Sequence, residues 1–380
     1  MSQSHRHHYV PEWYQRRFML TGQSEYHRLN LNPKIIEKPD GGLVQIEKEL
    51  ITKGPGGFFF EEDLYTTEYF GKKNVDIETY LFGQIDTKGS LALPALVSKN
   101  WMSELHPHII NFFEYMDAQR LRTPKGLHWI LALLKPKDYN ALLMHMQTIR
   151  QMHSTMWIEA KMEIVSAEDS DIKFIVADTP VTTYNADCDL DSRQCKFPYE
   201  PQIELIGTRT IFPIDLNYCV VLTNIEYIKD PTNTDRMKNR TNPRYHDDTI
   251  INYNDILRGR KLERDDVLGI NYILKNRATK YIAAAKEEWL YPEKYLSNTN
   301  WKYLDDIFIS DKLTSSPSNG KIWVGGKDGK LLMTQDEFGR KPQTQEEWGK
   351  EEKMAQDMEQ HVKKLLAEKR DKKVRRRKTS

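Results

Sequence analysis

The chain is organised around a segment near its start, which reads His5-Arg6-His7-His8-Tyr9-Val10-Pro11-Glu12-Trp13-Tyr14-Gln15-Arg16-Arg17-Phe18. This opening segment gathers three histidines, four aromatic residues and three arginines within fourteen residues. Proline has a fixed φ and lacks a backbone N–H, so Pro11 fits the first turn of a helix. We predict that this helix runs from Glu12 to about Leu20 and ends at Gly22, which suits a left-handed cap.

Two interpretations of the opening segment remain open. In the functional one, His7 and His8 lie just before a helix start, where free backbone N–H groups attract anions. Arg16 and Arg17 follow one or two turns later, which would make a phosphate-handling or acid/base site. In the structural one, Tyr9 and the other apolar side chains dock the segment on the core, and the histidines are incidental.

Residues 7–18 resemble the opening signature of family 4238 of the domains of unknown function, which reads approximately His-His-Tyr-Val-Pro-Gln-Phe-Tyr-Leu-Arg-Asn-Phe. Glu12, Gln15 and Arg17 depart from that signature, since the family has glutamine, an aliphatic residue and asparagine there. Some members of the family look like bacterial anti-phage defence proteins. The resemblance therefore implies a role in antiviral defence.

Shorter matches to the same family continue to about residue 290. They are Leu64-Tyr65-Thr66, the acidic Glu78, Asp178-Thr179-Pro180-Val181, Phe212-Pro213-Ile214-Asp215 and Asn271. The resemblance implies that Tyr9, Glu78 and Asn271 support the site.

Asp178 is a third catalytic candidate because it ends a buried-type strand that we predict over Ile172–Ala177. Loops at strand ends often carry chemistry, since a rigid scaffold holds them. Asp178 would orient a histidine or hold a divalent metal if the reaction is metal-assisted. The alternative is that its carboxylate caps the turn ahead of Pro180.

Glu78 and Asp86 lie on a helix that we predict from Asn74 to Leu96. Eight residues at 100° each leave the two side chains about 80° apart around the axis. They would not converge on a metal unaided, so a solvated or salt-bridged face is favoured. No metal site and no cofactor motif is predicted from the sequence.

The net charge of +1 conceals a strong asymmetry. Residues 361–380 carry ten lysines and arginines against two carboxylates, a net charge of +8, which leaves −7 for the rest of the chain. No apolar run is long enough to cross a membrane and no secretory signal is present, so we expect a cytoplasmic protein. Cys188 and Cys195 could pair or bind metal, but free thiols are favoured in that compartment.

The pattern predicts an α+β fold with a helix-rich N-terminal half, a strand-rich middle and a long charged C-terminal helix. Helices are predicted over 139–164 and 265–288. The domain prediction is a core at 1–292, a linker or small accessory region at 293–343, and a charged helix with a basic tail at 344–380. That last helix has a thin apolar stripe through which two copies of the chain could pair as a homo-oligomer.

We expect a nuclease-type toxin that acts on RNA in the cytoplasm and is triggered by a phage protein. His7 or His8 would take the 2′-hydroxyl proton, while Arg16 and Arg17 would hold the phosphate. The alternative is a non-enzymatic sensor or interaction protein whose basic tail binds nucleic acid or a phage component. Steep salt dependence would mark the second case.

Overall fold

The computed structural model describes residues 6–39, 41–69, 72–150, 152–229, 235–240, 251, 253–315, 321–325, 328, 330–336 and 344–378. His5 and the end of the basic tail lie outside these residues. The predicted α+β class is confirmed. Within the described part of the chain, no helix is long and apolar enough to cross a membrane.

A five-stranded sheet forms the centre of the molecule. Its order is β11-β12-β13-β9-β14, and only the β9–β14 pair is parallel. Every residue of β9 and β12 is buried, so helices and loops cover both faces. The strands are β9 (Lys161–Ser166), β11 (Thr182–Tyr184), β12 (Arg209–Pro213), β13 (Tyr218–Thr223) and β14 (Ile256–Lys261).

A second sheet has four strands and brings two strands from the first 53 residues together with one at 176–177 and one at 281–284. Its order is β10-β15-β2-β5 and all its pairs are antiparallel. The strands are β2 (Tyr26–Asn30), β5 (Leu50–Lys53), β10 (Val176–Ala177) and β15 (Tyr281–Ala284). Short two-stranded pairs complete the strand set: β1 (Arg6–His8) with β6 (Phe60–Glu62), β3 (Ile35–Glu37) with β4 (Leu43–Gln45), β7 (Thr67–Tyr69) with β8 (Lys72–Asn74), and β16 (Lys321–Gly325) with β17 (Leu331–Asp336).

Helices dominate residues 77–158, as the sequence predicts. A π-helical segment, Ile77–Phe82, leads into α2. Two of the helices have side-chain N-caps. Thr123 accepts a hydrogen bond from Gly126 N at the start of α5, and Asp138 accepts one from Ala141 N at the start of α6. After a short α1 (Glu12–Gln15), the helices are α2 (Gly83–Val97), α3 (Trp101–Leu105), α4 (Ile109–Leu121), α5 (Pro124–Leu134), α6 (Tyr139–Ile149), α7 (Ser154–Ile158), α8 (Ile225–Lys229), α9 (Arg264–Arg277), α10 (Asp311–Ser315) and α11 (Gln345–Lys378).

The predicted helix over 265–288 is wrong beyond Arg277. The backbone of Ala278 is extended, and residues 281–284 form β15, an inner strand of the four-stranded sheet. Alanine and isoleucine suit either helix or strand when they are buried. The partner strands on both sides therefore override the helical spacing.

The predicted helix over 139–164 is wrong at its end for the same reason. Residues 161–166 form β9, which pairs with β13 on one side and β14 on the other. The opening helix is also shorter than predicted, because α1 gives way to a 3-10 turn over Arg16–Phe18. The strand predicted over Ile172–Ala177 is paired only at Val176 and Ala177.

Cys188 and Cys195 form a disulfide rather than the free thiols that we expected. Successive tight turns between residues 185 and 199 bring their Cα atoms to 6.3 Å. Cys219 is a buried free thiol.

The hydrophobic core continues past residue 292. Trp301, Leu304 and Phe308 belong to the same apolar cluster as the sheets, in a 3-10 helix over 301–308. The predicted long C-terminal helix is present as α11. The three-part domain division and the pairing of α11 with a second copy stay predictions.

Gly126 offers a sensitive test of this packing. A Cβ there would lie 2.3 Å from Arg120 O and 2.4 Å from Leu121 O, both backbone atoms at the end of α4. We expect Gly126→Ala to lower the free energy of unfolding by about 1–3 kcal/mol in urea denaturation.

Gly349 in α11 is the matched control because a Cβ there meets nothing within 4 Å. Gly349→Ala should be neutral or stabilising by up to about 1 kcal/mol. Equal effects of the two substitutions would contradict the packing described for α4 and α5.

Candidate functional site

Buried hydrogen bonds hold the opening segment in place. Gln15 is fully buried, and its Nε2 donates to Val10 O at 2.6 Å. Its Oε1 accepts from the Tyr26 hydroxyl at 2.6 Å, which ties the segment to β2. The Tyr14 hydroxyl donates to Pro213 O at the end of β12. The segment thus contacts both sheets through specific polar bonds.

Arg17 anchors the segment to the Phe212-Pro213-Ile214-Asp215 match. Its Nε donates to Ile214 O at 2.6 Å, and its Nη2 lies 3.1 Å from Asp215 Oδ2. The backbone returns the contact, since Leu216 N donates to Arg17 O at 3.1 Å. The phosphate-binding role predicted for Arg17 stays a prediction, since these contacts engage the Nε and Nη2 atoms of its guanidinium.

His7 lies inside the protein, with 2% of its surface exposed. Its Nδ1 accepts a hydrogen bond from Tyr65 N at 2.8 Å, and its ring stacks on the Tyr65 ring with centroids 5.4 Å apart. The Tyr65 hydroxyl in turn donates to Arg122 O. This ring is held as a hydrogen-bond acceptor, and its catalytic role stays a prediction.

His8, Glu12 and Arg16 lie together nearer the surface. His8 Nε2 is 3.8 Å from Glu12 Oε1, and Arg16 Nη2 is 3.1 Å from Glu12 Oε2. Burial lowers the pKa of His8 below its ordinary 6.5, against the opposing effects of Glu12 and the Gly56 carbonyl. The Arg16 side chain is 62% exposed. The His8 Nε2 atom is buried and has no hydrogen-bond partner among the described residues, so the trio combines a sheltered imidazole nitrogen, a carboxylate and an accessible cation.

The Asp178 carboxylate accepts hydrogen bonds from a turn that lies 101 to 103 residues further along the chain. Its Oδ1 accepts from Thr279 N at 2.9 Å, and its Oδ2 accepts from Lys280 N at 2.6 Å and Tyr281 N at 2.9 Å. Burial raises the pKa of this carboxyl, and the three backbone donors oppose that rise. Asp178 thus fixes the path from α9 into β15.

Tyr9 and Asn271 also serve as local connectors. Tyr9 O accepts from Gln119 Nε2 at 2.7 Å, and the Tyr9 ring packs edge-on against Phe59. Asn271 Nδ2 donates to Lys173 O at 2.8 Å, while its Oδ1 accepts from Ile175 N at 3.2 Å. The Asn271 amide thereby takes the place of a neighbouring strand along residues 173–175, which explains the short β10.

Asp86 pairs with the Arg122 guanidinium, and Glu78 lies close enough for the charge of Arg122 to affect its pKa. Arg122 is fully buried and lies 2.9 Å from Asp86 Oδ1. Burial raises the pKa of Glu78 to about 7, while Arg122 lowers it and Asp86 raises it further. The salt-bridged face that we favoured is present at Asp86. The 80° separation assumed an α-helix throughout, whereas the π-helical turn at 77–82 winds less per residue.

A buried ion cluster around Glu200 has no signature in the sequence. Glu200 Oε1 lies 2.5 Å from Lys125 Nζ, and Glu200 Oε2 lies 3.1 Å from Arg120 Nη1. The hydroxyls of Thr182 and Thr183 also donate to this carboxylate. Despite the penalty of burial, the neighbouring cations hold the pKa of Glu200 at about 2. Its main ionic partners lie 75 and 80 residues away along the chain.

A groove beside α5 is lined by His128, a histidine that the sequence pattern does not single out. The groove has a volume of about 470 Å³, and Glu61, His128 and Tyr139 line it. His128 Nδ1 lies 2.7 Å from Pro124 O, so this nitrogen carries the proton and Nε2 is the basic atom of the neutral ring. Burial raises the pKa of Glu61, which His128 partly offsets.

No protein-family model, curated protein or solved structure matches this chain. The family resemblance of the opening segment therefore stays a prediction. Among the described residues, no group of three or more His, Cys, Asp or Glu side chains is placed to hold a metal ion.

Asp178→Asn separates a structural from a catalytic role for this residue. The amide would turn an NH₂ group towards at least one of the three backbone donors. We therefore expect the free energy of unfolding to fall by about 2 kcal/mol. Asp189→Asn, an exposed change of equal charge, is the control. An unaltered denaturation midpoint in Asp178→Asn would contradict the structural role.

Glu78→Gln tests the electrostatics of the cluster at Arg122. The native pKa of about 7 exceeds the ordinary 4.5, so native-state stability should fall as pH rises between these values. After allowance for solvent screening, we expect Glu78→Gln to stabilise the protein by about 1–2 kcal/mol at pH 8 and to change little at pH 4.

The measurement is urea denaturation at both pH values, beside Glu104→Gln, an exposed carboxylate on α3. An equal gain in unfolding free energy at pH 4, or in Glu104→Gln at pH 8, would contradict the raised pKa of Glu78 as the cause.

Proposed function

We propose that this protein is a cytoplasmic effector of antiviral defence that binds nucleic acid, RNA in the first place, and cleaves it with His8 as the acid/base group. The observation that carries the proposal is the trio of His8, Glu12 and Arg16, in which Arg16 is exposed and the His8 Nε2 atom is buried beside Glu12. The defence context rests on the resemblance of the opening segment, and the +8 tail supports attraction to a polyanion.

RNA can be cleaved at such a trio without a metal. His8 in its neutral form takes the proton of the 2′-hydroxyl, whose oxygen attacks the neighbouring phosphorus and displaces the 5′-oxygen. The imidazolium then returns its proton to the leaving oxygen, which leaves a 2′,3′-cyclic phosphate and a 5′-hydroxyl. Arg16 stabilises the charge on the phosphate oxygens through its planar donor group.

The other predicted site residues have supporting roles in this proposal. His7, Tyr9, Arg17, Asp178 and Asn271 all use polar atoms in bonds within the protein. They would hold the segment that carries His8 rather than touch the substrate.

The internal hydrogen bonds of these residues also favour a second candidate, a non-enzymatic sensor or interaction protein. If the opening segment is purely a structural connector, nucleic acid or a phage component would bind through the basic tail. Binding should then weaken steeply with salt, and a histidine substitution should leave it unchanged.

The test is protection of cells against phage, host toxicity and RNA cleavage for wild type and His8→Ala. We expect a folded His8→Ala protein to lose cleavage and protection by 100-fold or more, the usual scale for one acid/base group. Because the pKa of His8 is lowered, wild-type cleavage should persist below pH 6.5.

His128→Ala is the matched control, since His128 is an exposed histidine outside the opening segment. Full activity of His8→Ala would refute the acid/base role. Loss in His128→Ala alone would move the chemistry to the groove beside α5.

A further inference from the structure

A cavity of about 410 Å³ lies between the disulfide loop and the end of α9. Lys196 and Phe197 face it from the loop side, and Arg277 and Thr279 face it from the end of α9. Lys125, from the ion cluster around Glu200, reaches it from α5. The volume falls in the range of small-molecule sites.

The charged side chains of this cavity are all cationic. Lys125, Lys196 and Arg277 line it, and none of its described lining residues carries a carboxylate. The carboxylates behind the wall are already engaged: Glu200 by Lys125 and Arg120, and Asp178 by backbone N–H groups. Lys125 is paired with Glu200 and also donates to Arg277 O at 2.7 Å, so an anion in the cavity would meet chiefly the charges of Lys196 and Arg277.

Donors at the wall remain available for a ligand. The ammonium of Lys196 is exposed and has no partner in the part of the chain that the structure describes. The Thr279 hydroxyl is buried and has no hydrogen-bond partner among the described residues. A buried hydroxyl without a partner is costly, and this one becomes a ligand partner only if the Thr279 side chain rotates into the cavity.

Arg277 builds the wall rather than offering itself to the ligand. Its Nη1 and Nη2 donate to Cys195 O and Cys188 O, at 3.3 and 3.1 Å. Its guanidinium also lies over the Trp301 ring, 5.0 Å from the centroid. The disulfide and this double anchor hold the loop that carries Lys196 at a fixed place beside the cavity.

An apolar surface lies beside these cations. Phe197 is 50% exposed, and Leu190 lines the same cavity. An aromatic ring of this kind offers a stacking face to a planar group. The cavity thus combines a cationic part with an apolar part.

We propose that this cavity binds a phosphate monoester with a planar organic body, of about the size of a mononucleotide. The phosphate would lie against Lys196, with Lys125 held on Glu200 behind the wall, and the planar body would lie against Phe197. The proposal is independent of His8 and of RNA cleavage, because it concerns a small ligand at a different part of the surface.

Adenosine 5′-monophosphate is the probe, and isothermal titration of the full chain at low salt is the measurement. We expect saturable binding that is at least tenfold weaker in Lys196→Ala. Lys137→Ala, an exposed lysine at the groove beside α5, is the matched control and should bind as wild type does. Phe197→Ala should weaken binding of the nucleotide but leave that of inorganic phosphate unchanged.

Inorganic phosphate and adenosine complete the comparison. Both should bind more weakly than the nucleotide, because each engages only one part of the cavity. Absence of saturable nucleotide binding at millimolar concentration would overturn the proposal. So would equal affinity in wild type and Lys196→Ala, or equal affinity for phosphate and nucleotide.

Discussion

The docking of the opening segment on the loop after β12 is the constraint on which the rest of the structure depends. Arg17 carries a charge to a site where 20% of its side chain is exposed, and Ile214 O and Asp215 compensate it there. Gln15 and Tyr14 add buried polar bonds to β2 and to the end of β12. Removing one partner would leave buried groups unsatisfied, so the segment and both sheets depend on one another.

Buried side chains also satisfy backbone groups at places where strands lack neighbours. Asn271 supplies an amide where residues 173–175 have no strand beside them, and Asp178 gathers three backbone donors ahead of β15. Sequence matches that lie far apart thus meet as connectors within the fold. In the opening segment Arg16 is exposed and His8 is partly buried beside Glu12, and the cavity lined by Lys196 lies at a separate part of the fold.

The local pattern predicted the fold class and the helix that covers residues 83–97, because apolar spacing acts within one element. It failed at 161–166 and 281–284, where partner strands decide the conformation. The site was harder to predict. His7 and His8 are adjacent in sequence, yet strand alternation buries one and leaves the other half-buried. Lys125 and Glu200 meet only through tertiary structure.

Arg17 is a structural anchor of the opening segment, and Arg16 is not. Urea denaturation of Arg17→Met and Arg16→Met tests it directly, because methionine keeps much of the side-chain volume and removes every donor. We predict a loss of about 2–4 kcal/mol of unfolding free energy for Arg17→Met. We predict a change within about 0.5 kcal/mol for Arg16→Met, whose ion pair is exposed. Equal stability of the two variants would contradict the account.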